Sequence, residues 1–295
     1  MANARALDKR RKSIKNIRKI TRTMELIATA RYKKAMDRAS AATAYTDQIT
    51  KIVSRLAAAG LDVAHPLLEQ REKTEAARVL VLASNRGLCG GYNASVLRTA
   101  LPVIDALKAS TPKVTVDVAG KRGVNGLAFR GVQTDEQHLG FEDQPAYDEV
   151  EKIADRYLSR YITGEIDRLD VVYTKFISTG KQVATTVTLL PLGSLSDDEE
   201  ATTDDASANV EYEFLPSAES ILEEVVPTSF KVRLFKCFLD AAVSEQVARM
   251  IAMKGATESA GDMIKQLSMT YNRARQSQIT GEIMEIIGGV EALEG

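Results

Sequence analysis

Tryptophan is absent from this 295-residue chain, histidine and cysteine occur twice each, and aromatic residues make up only 5% of it. His65 and His138 are isolated, with no His/Cys/carboxylate cluster at metal-ligand spacing and no nucleophile-elbow sequence, so the familiar catalytic constellations are missing. Isolated histidines of this kind are expected at the surface. Cys89 and Cys237 lie far apart in unlike contexts, which excludes a disulfide framework and a metal site built from them, and a reducing compartment is the default. The chain lacks any apolar run of the 18 or more residues that a membrane span needs, so membrane association would be peripheral. Proline and glycine are missing between Ala2 and Ala59, which leaves an unbroken helix-permitting stretch of about 85 Å at 1.5 Å per residue.

An excess of charge of one sign is also missing, because the net charge is -1. That figure conceals segregation. Residues 1–38 hold thirteen Lys or Arg against Asp8, Glu25 and Asp37, whereas residues 195–224 hold eleven acids and no base. The basic start resembles a mitochondrial transit peptide in being Arg-rich and acid-poor, but its helical pattern continues to about residue 58 without a cleavage-like break, so it reads as mature structure. Its charge calls for a polyanion, an anionic surface or an acidic protein partner.

Apolar residues in this stretch recur at Leu7, Ile14, Ile17, Met24, Ile27 or Ala28, Ala35, Ile49, Ile52, Val53 and Leu56, the three-and-four spacing of a coiled-coil seam. Gly60 stands where a helix stop is expected. The period then changes. Short β-branched runs at 77–84, 113–119, 170–176 and 182–192 alternate with helical stretches at 92–107 and 147–162, the pattern of a mostly parallel sheet covered on both faces. An acidic, turn-rich segment at 194–215 reads as a solvated loop leading into a short strand-like piece. A second long helix begins near Ser217, adjusts around Pro227 and runs almost to the end, with Leu234, Phe238, Val243, Val247, Ile251, Met263, Leu267, Tyr271, Ala274, Ile279, Ile283, Ile286 and Ile287 along its seam. The expected division is 1–59 for the first helix, 60–76 for a connector, 77–193 for the α/β domain, 194–215 for the acidic loop and 216–295 for the last helix. Two helices this long cannot bury their seams alone, so they are expected to pair antiparallel.

Three features invite a functional reading. SNRGLCGGYN after a strand and before a helix looks like a phosphate-cradling turn, yet it fits neither GxGxxG nor GxxxxGK[ST], and glycines serving a tight turn explain it better. Gly120, Gly123 and Gly126 in GKRGVNG get the same reading. Near the end, Arg275 and Gln276 are adjacent forked donors followed by Thr280 and Glu282, and Gly281 sits in mid-helix at a cost of about 1 kcal/mol against alanine, which suggests close packing there. Met24, Met250, Met253, Met263, Met269 and Met284 are most simply seam residues.

KSIKNIRKITRTMELIATARYKKA, SNRGLCGGYN and SEQVARMIAMKGATESAGDMIKQLSMTYNRARQSQITGEIMEIIGG, in that order, resemble the gamma-subunit family of the F-type ATP synthase. The resemblance covers both terminal helices and, more loosely, the α/β domain. Of the family's C-terminal signature, Ile279, Thr280, Glu282, Glu285 and Gly289 fit, while Val290 stands where Ala or Ser is usual. The inserted cysteine pair that chloroplast members use for redox control is missing.

The resemblance implies an antiparallel two-helix coiled coil formed by the N- and C-terminal helices, with a central Rossmann-like α/β domain at its foot. It implies a non-catalytic rotor shaft inside a ring of three alpha and three beta subunits, coupling proton or sodium flow through a c-ring to ATP synthesis or hydrolysis. The foot would bind the epsilon subunit and the c-ring. No cofactor, metal, nucleic acid or membrane insertion is implied, and the expected place is the cytoplasmic face of the bacterial inner membrane. Residue by residue, Arg275 and Gln276 match a pair that hydrogen-bonds an acidic loop of a beta subunit. Thr280 and Glu282 match neighbouring contacts, and Met24 and Arg249 match the lower shaft beside the beta subunits' acidic lever segment. Two rival readings are a basic helical nucleic-acid-binding protein, weakened by the continuous apolar seam and the lack of an aromatic stacking platform, and an enzyme using the α/β domain as a nucleotide site.

Overall fold

A computed structural model describes residues 4–58, 66–68, 71, 73–141, 144–192 and 218–294. The acidic loop at 194–210, the strand-like piece after it, Gly60 and His65 lie outside the described residues. The chain forms two compact units, one of residues 1–29 with 249–295 and one of residues 30–248.

The larger unit is built on a five-stranded sheet. Strands β1 (Ala76–Leu82), β2 (Lys113–Ala119), β3 (Gln137–His138), β4 (Arg168–Ser178) and β5 (Lys181–Leu190) lie in the order β3-β2-β1-β4-β5. β1 pairs parallel with β2 and β4, β2 pairs parallel with β3, and β5 closes one edge antiparallel. The run ARVLVL has no polar face because both faces of a parallel sheet are covered, and alternation sorts it instead by direction. Val79 and Val81 join the core beneath helices α2 (Tyr92–Ser110) and α3 (Lys121–Ala128). Leu80 and Leu82 join the opposite core, with Tyr157 and Tyr161 of helix α4 (Tyr147–Ile162) and Phe230, Leu234 and Phe238 of helix α5 (Ala218–Glu294). Within the same unit, Ala35 and Ala39 of helix α1 (Ala4–Ala58) pack on Leu239, Val243 and Val247 of α5.

Two elements were not expected from the sequence. α3 uses the stretch read as a glycine turn, and its glycines are there for contact as much as for turning. A Cβ on Gly123 would lie 2.7 Å from Val118 Cγ1 and 2.8 Å from Ala83 Cβ, and one on Gly126 would collide with Leu97. The helix therefore docks more closely on the sheet and on α2 than any side chain would allow. β3 is two residues long, too short to register as a period. Pro227 does not interrupt α5, although it has no N–H to offer the carbonyl of Glu223.

The smaller unit pairs the N-terminal part of α1 with the C-terminal part of α5. Thr257 Oγ1 lies 2.9 Å from Thr21 Oγ1, the Arg18 guanidinium comes close to Gly261, and the Arg11 guanidinium sits 4.7 Å from the centroid of the Tyr271 ring. Numbers fall on one helix as they rise on the other, so the pair is antiparallel. Ala28, Met253 and Ala260 are buried in it.

Candidate functional site

The turn after β1 is the candidate phosphate cradle, and the fold's own side chains reach into it from both ends. The Ser84 N–H donates to Asn93 Oδ1 at 3.0 Å, and the Asn93 amide donates to Ser84 Oγ at 2.8 Å. The N-terminus of α3 is stoppered by Asn85, whose Oδ1 accepts the Lys121 N–H at 3.0 Å while its amide donates to the carbonyls of Leu139 and Phe141. The Arg122 N–H donates to the Ser84 carbonyl at 2.9 Å. Gly120, at φ +103°, lets the backbone of that turn press against Ala83. Protein groups thus hold the Ser84 N–H and the first N–H groups of α3, and the turn fits no phosphate-binding code, so nothing in its geometry adds a positive case for an ATP or NAD site.

The densest polar cluster lies at the β2 end of the sheet. Fully buried Asp117 accepts both oxygens' worth of bonds from Arg78 Nη1, at 3.0 and 2.8 Å, with another from the Tyr157 hydroxyl at 2.8 Å. Glu136 takes Arg160 at 2.6 Å and Arg156 at 3.0 Å. Burial pushes Glu136 up, but these guanidiniums outweigh it and hold the carboxyl below its ordinary value. Burial drives the Tyr157 hydroxyl well above its ordinary range, and the Asp117 charge adds to that. His138 joins the cluster with its side chain only 9% exposed, so it is not the surface residue expected, and burial lowers its pKa.

Ligand atoms of Asp117, Glu136 and His138 lie within 4.8 Å of one another, a trio that sequence spacing did not reveal. It does not suit a cation. Arg78 occupies both oxygens of Asp117, and Arg156 and Arg160 already neutralise Glu136, so a divalent ion would meet three guanidiniums. The cluster is a structural clamp that joins β1, β2, the β3 segment and α4. Both cysteines are free and buried, and burial pushes the Cys237 thiol up to about 12.

The smaller unit is where polar order gives way to exposed apolar surface. Ile279, Ile283, Met284, Ile286, Ile287, Val290 and Leu293 of α5 are exposed, from 44% for Ile279 to 89% for Leu293. The sequence reading placed the isoleucines among these in a buried seam, and Met24, Met263, Met269 and Met284 likewise; all are exposed in this chain. Met24, Met263 and Met269 lie within the paired stretch but off the seam face, whereas from Ile279 onward the reason is register. Arg11 faces Tyr271, so seven residues further along each helix Ala4 comes opposite Gln278, and among the described residues α1 has nothing left to cover the remainder of α5. Ile279, Ile283, Ile286, Val290 and Leu293 continue the four-and-three spacing beyond that point as a stripe without an internal partner. Among the described residues Gly281 has nothing within 4 Å, so none of them makes the close packing its position suggested.

The α1 side of the unit is basic. Between residues 4 and 29 stand nine Lys or Arg and two acids, Asp8 and Glu25. Asp8 pairs with Arg11 and Lys12, and Glu25 with Arg22. Lys15, Arg18, Lys19 and Arg22 line a groove beside Ile264. Of the residues singled out in the sequence, Met24 is 37% exposed, Arg249 is half-buried, and Arg275, Gln276, Thr280 and Glu282 are all exposed. Glu282 accepts a bond from the Gln278 amide at 2.9 Å. No helix among the described residues is long and apolar enough to cross a membrane.

Comparison with known proteins is consistent along the whole chain. A family model described as ATP synthase matches residues 3–293. The chain is 82% identical over 296 residues to the ATP synthase gamma chain of Rhodopirellula baltica, with all of each covered. It is 37% identical to that of Leptospira biflexa, covering 99% of this chain and all of the other. Among solved structures, it superposes on a chain of the Euglena gracilis mitochondrial ATP synthase OSCP/F1/c-ring assembly with a TM-score of 0.67 at 19% identity, covering 98% of this chain and 94% of that one. A chain of the rotor of the same enzyme gives 0.63 at 18%, covering 94% and 98%. At such identities the structures speak for the fold. None of these comparisons supports a nucleic-acid-binding protein.

Proposed function

The chain belongs to the gamma-chain family of ATP synthase, and from that premise we propose that it is the central rotor shaft of a bacterial enzyme, peripheral on the cytoplasmic face of the inner membrane. It makes and breaks no bond itself. The α/β unit with its filled turn serves as the foot, where the epsilon subunit and the c-ring attach, and the helical unit turns inside the alpha and beta subunits.

The observation that carries this reading is the exposed end of α5. An isolated helix of this length is marginal in water, and most helical stability comes from packing an apolar face. Residues 279–293 have such a stripe and no partner among the described residues, which suits a sleeve supplied by other subunits. The basic surface of α1 fits the same picture. Exposed ion pairs are worth roughly 0 to 1 kcal/mol each, so many weak contacts with acidic segments guide a turning shaft without locking it. Met24 and Arg249 are assigned to the acidic lever segments of the beta subunits, and Arg275, Gln276, Thr280 and Glu282 to the beta contacts higher up.

Coupling follows from asymmetry. A two-helix shaft presents a different face to each of three identical catalytic subunits, stabilises a different conformation in each and holds them out of phase. Nucleotide binding and shaft angle are then reciprocally linked, so rotation driven by ions releases ATP and hydrolysis drives rotation backward. The test is affinity purification of the tagged chain from gently solubilised host membranes. Recovery of two larger subunits in threefold excess with ATPase activity supports the reading, and recovery of the chain alone overturns it.

A further inference from the structure

A crevice of about 320 Å³ opens in the larger unit at the carboxyl ends of β1 and β2, where Leu82 and Ala119 end their strands, and α5 forms its far wall. Open α/β sheets bind ligands outside this edge, beside the strand from which the chain runs both ways. Here that strand is β1, with β2 on one side and β4 on the other, α2 and α3 covering one face of the sheet and α4 the other. The neighbouring turn fits no phosphate code, but it does not fill this space.

The side chains that could give the crevice a polar interior are already engaged. The Tyr92 hydroxyl donates to the Ala241 carbonyl at 3.2 Å, while Asn85 donates to the carbonyls of Leu139 and Phe141 and accepts the Lys121 N–H. What the walls present is carbon, from Leu82, Phe141 and Phe238, the two rings with centroids 4.8 Å apart. Charge stands only at the rim, on Arg86, Lys121 and Glu245. Lys121 is exposed, and among the described residues no carboxylate pairs with it. With two cations and one acid, the rim favours a ligand whose outer end is negative. The interior equals the liquid volume of roughly ten waters, small even among small-molecule sites.

We propose that this crevice binds a small amphipathic anion, an apolar or aromatic body of about ten non-hydrogen atoms ending in one carboxylate. The body lies against Phe141 and Phe238, and the carboxylate meets Lys121 at the rim. Occupancy ties α5 to the ends of β1 and β2. The site goes beyond the rotor reading and does not rest on it.

The test titrates the full chain, methyl-labelled at alanine and leucine, with 4-phenylbutyrate and follows it by NMR. The methyl signals of Leu82, Leu139 and Ala242 are expected to shift together, with a Kd in the low millimolar range or tighter, the ordinary expectation for a ligand of about twelve non-hydrogen atoms. 4-Phenylbutanol, the same body without the charge, binds about fivefold more weakly, and 4-phenylbutylamine more weakly still. Lys121→Gln brings the carboxylate down to the affinity of the alcohol and leaves the alcohol unchanged. Ala242→Phe fills the crevice and abolishes binding of all three; Lys121→Gln alters an exposed position and decides the matter where the larger substitution disturbs folding. Absence of the shifts at ten times the expected Kd, equal affinity for the three probes, or undiminished binding in Ala242→Phe overturns the site. The titration is repeated on the chain assembled with alpha and beta subunits, where loss of binding would give the crevice to a side chain of a partner subunit and overturn the free ligand.

Discussion

Replacing Gly123 with alanine sets two forces against each other at one atom. In a helix interior the change gains roughly 1 kcal/mol, because glycine gives up more backbone freedom on folding. Here the new methyl would lie 2.7 Å from Val118 Cγ1 and 2.8 Å from Ala83 Cβ, where carbon atoms want about 3.5 Å or more. Neither neighbour can yield: Val118 is β-branched and fully buried in β2, and Ala83 has no rotamer to change. α3 must lift off the sheet, and overpacking of this kind costs about 1 to 3 kcal/mol, so the balance is a net loss of up to about 2 kcal/mol. At Gly126 the obstacle is the end of Leu97, which can turn, and the two terms come close to cancelling. At Gly281 nothing stands within 4 Å, so the same substitution should stabilise that turn by about 1 kcal/mol. Amide hydrogen exchange resolved by segment reads each unit separately, through β2 for Gly123→Ala and Gly126→Ala and through the end of α5 for Gly281→Ala. Slower exchange in β2 for Gly123→Ala would refute the close docking of α3.

Acid should loosen the larger unit in two steps. Burial holds His138 below 6.5, so its contribution is complete above that value and is lost as pH falls through the lower folded value; Glu136, held below 4.5, gives up its own further down. Urea midpoints measured against pH should show both steps, and His138→Gln should remove only the upper one. Asp117→Asn takes from the buried Arg78 guanidinium its one fully buried counter-charge and leaves it the half-exposed Asp135 at 2.7 Å, so it should cost about 3 kcal/mol of unfolding free energy, the low end for a broken buried pair, most of it recovered by adding Arg78→Met; no recovery would contradict the clamp. Arg275→Ala with Gln276→Ala touches exposed positions and should move chain stability by less than about 0.5 kcal/mol. ATP-driven proton pumping by the reconstituted enzyme should fall about tenfold, the scale of one lost charged hydrogen bond, and undiminished pumping would sink that role.

The long elements were legible in the sequence because their signals are long. Fifty-five residues of α1 contain no proline or glycine, and each of the four longer strands announces itself by β-branched residues between breakers. α3 was missed because Gly123 and Gly126 are poor helix formers, and only close packing on Val118, Ala83 and Leu97, which no one-dimensional pattern reports, makes them the right residues. The clamp was missed for a related reason. Arg78, Asp117, Glu136 and Tyr157 are scattered over eighty positions, and parallel pairing with its crossovers is what gathers them. The isoleucines near the end were legible as a stripe, but periodicity reveals a face and not what covers it.

That last distinction bears on how the chain can be stable and still incomplete. Within the larger unit, polar and apolar groups are mostly satisfied internally: the Ser84 and Lys121 N–H groups by Asn93 and Asn85, the buried carboxylate by Arg78 and Tyr157, and the two faces of the sheet by α2, α3, α4 and α5. The smaller unit divides its requirements differently. Its seam closes internally as far as Tyr271, while the rest of α5 keeps the same spacing with none of the described residues opposite, and residues 4–29 of α1 hold nine bases against two acids. A surface that were merely tolerated would have no reason to keep a heptad stripe beyond the reach of its partner helix, since scattered exposed apolar residues are ordinary and an ordered stripe is not. On the proposed rotor reading the order in that stripe is a requirement set from outside the chain, by a surface that surrounds the helix and must release it at every turn.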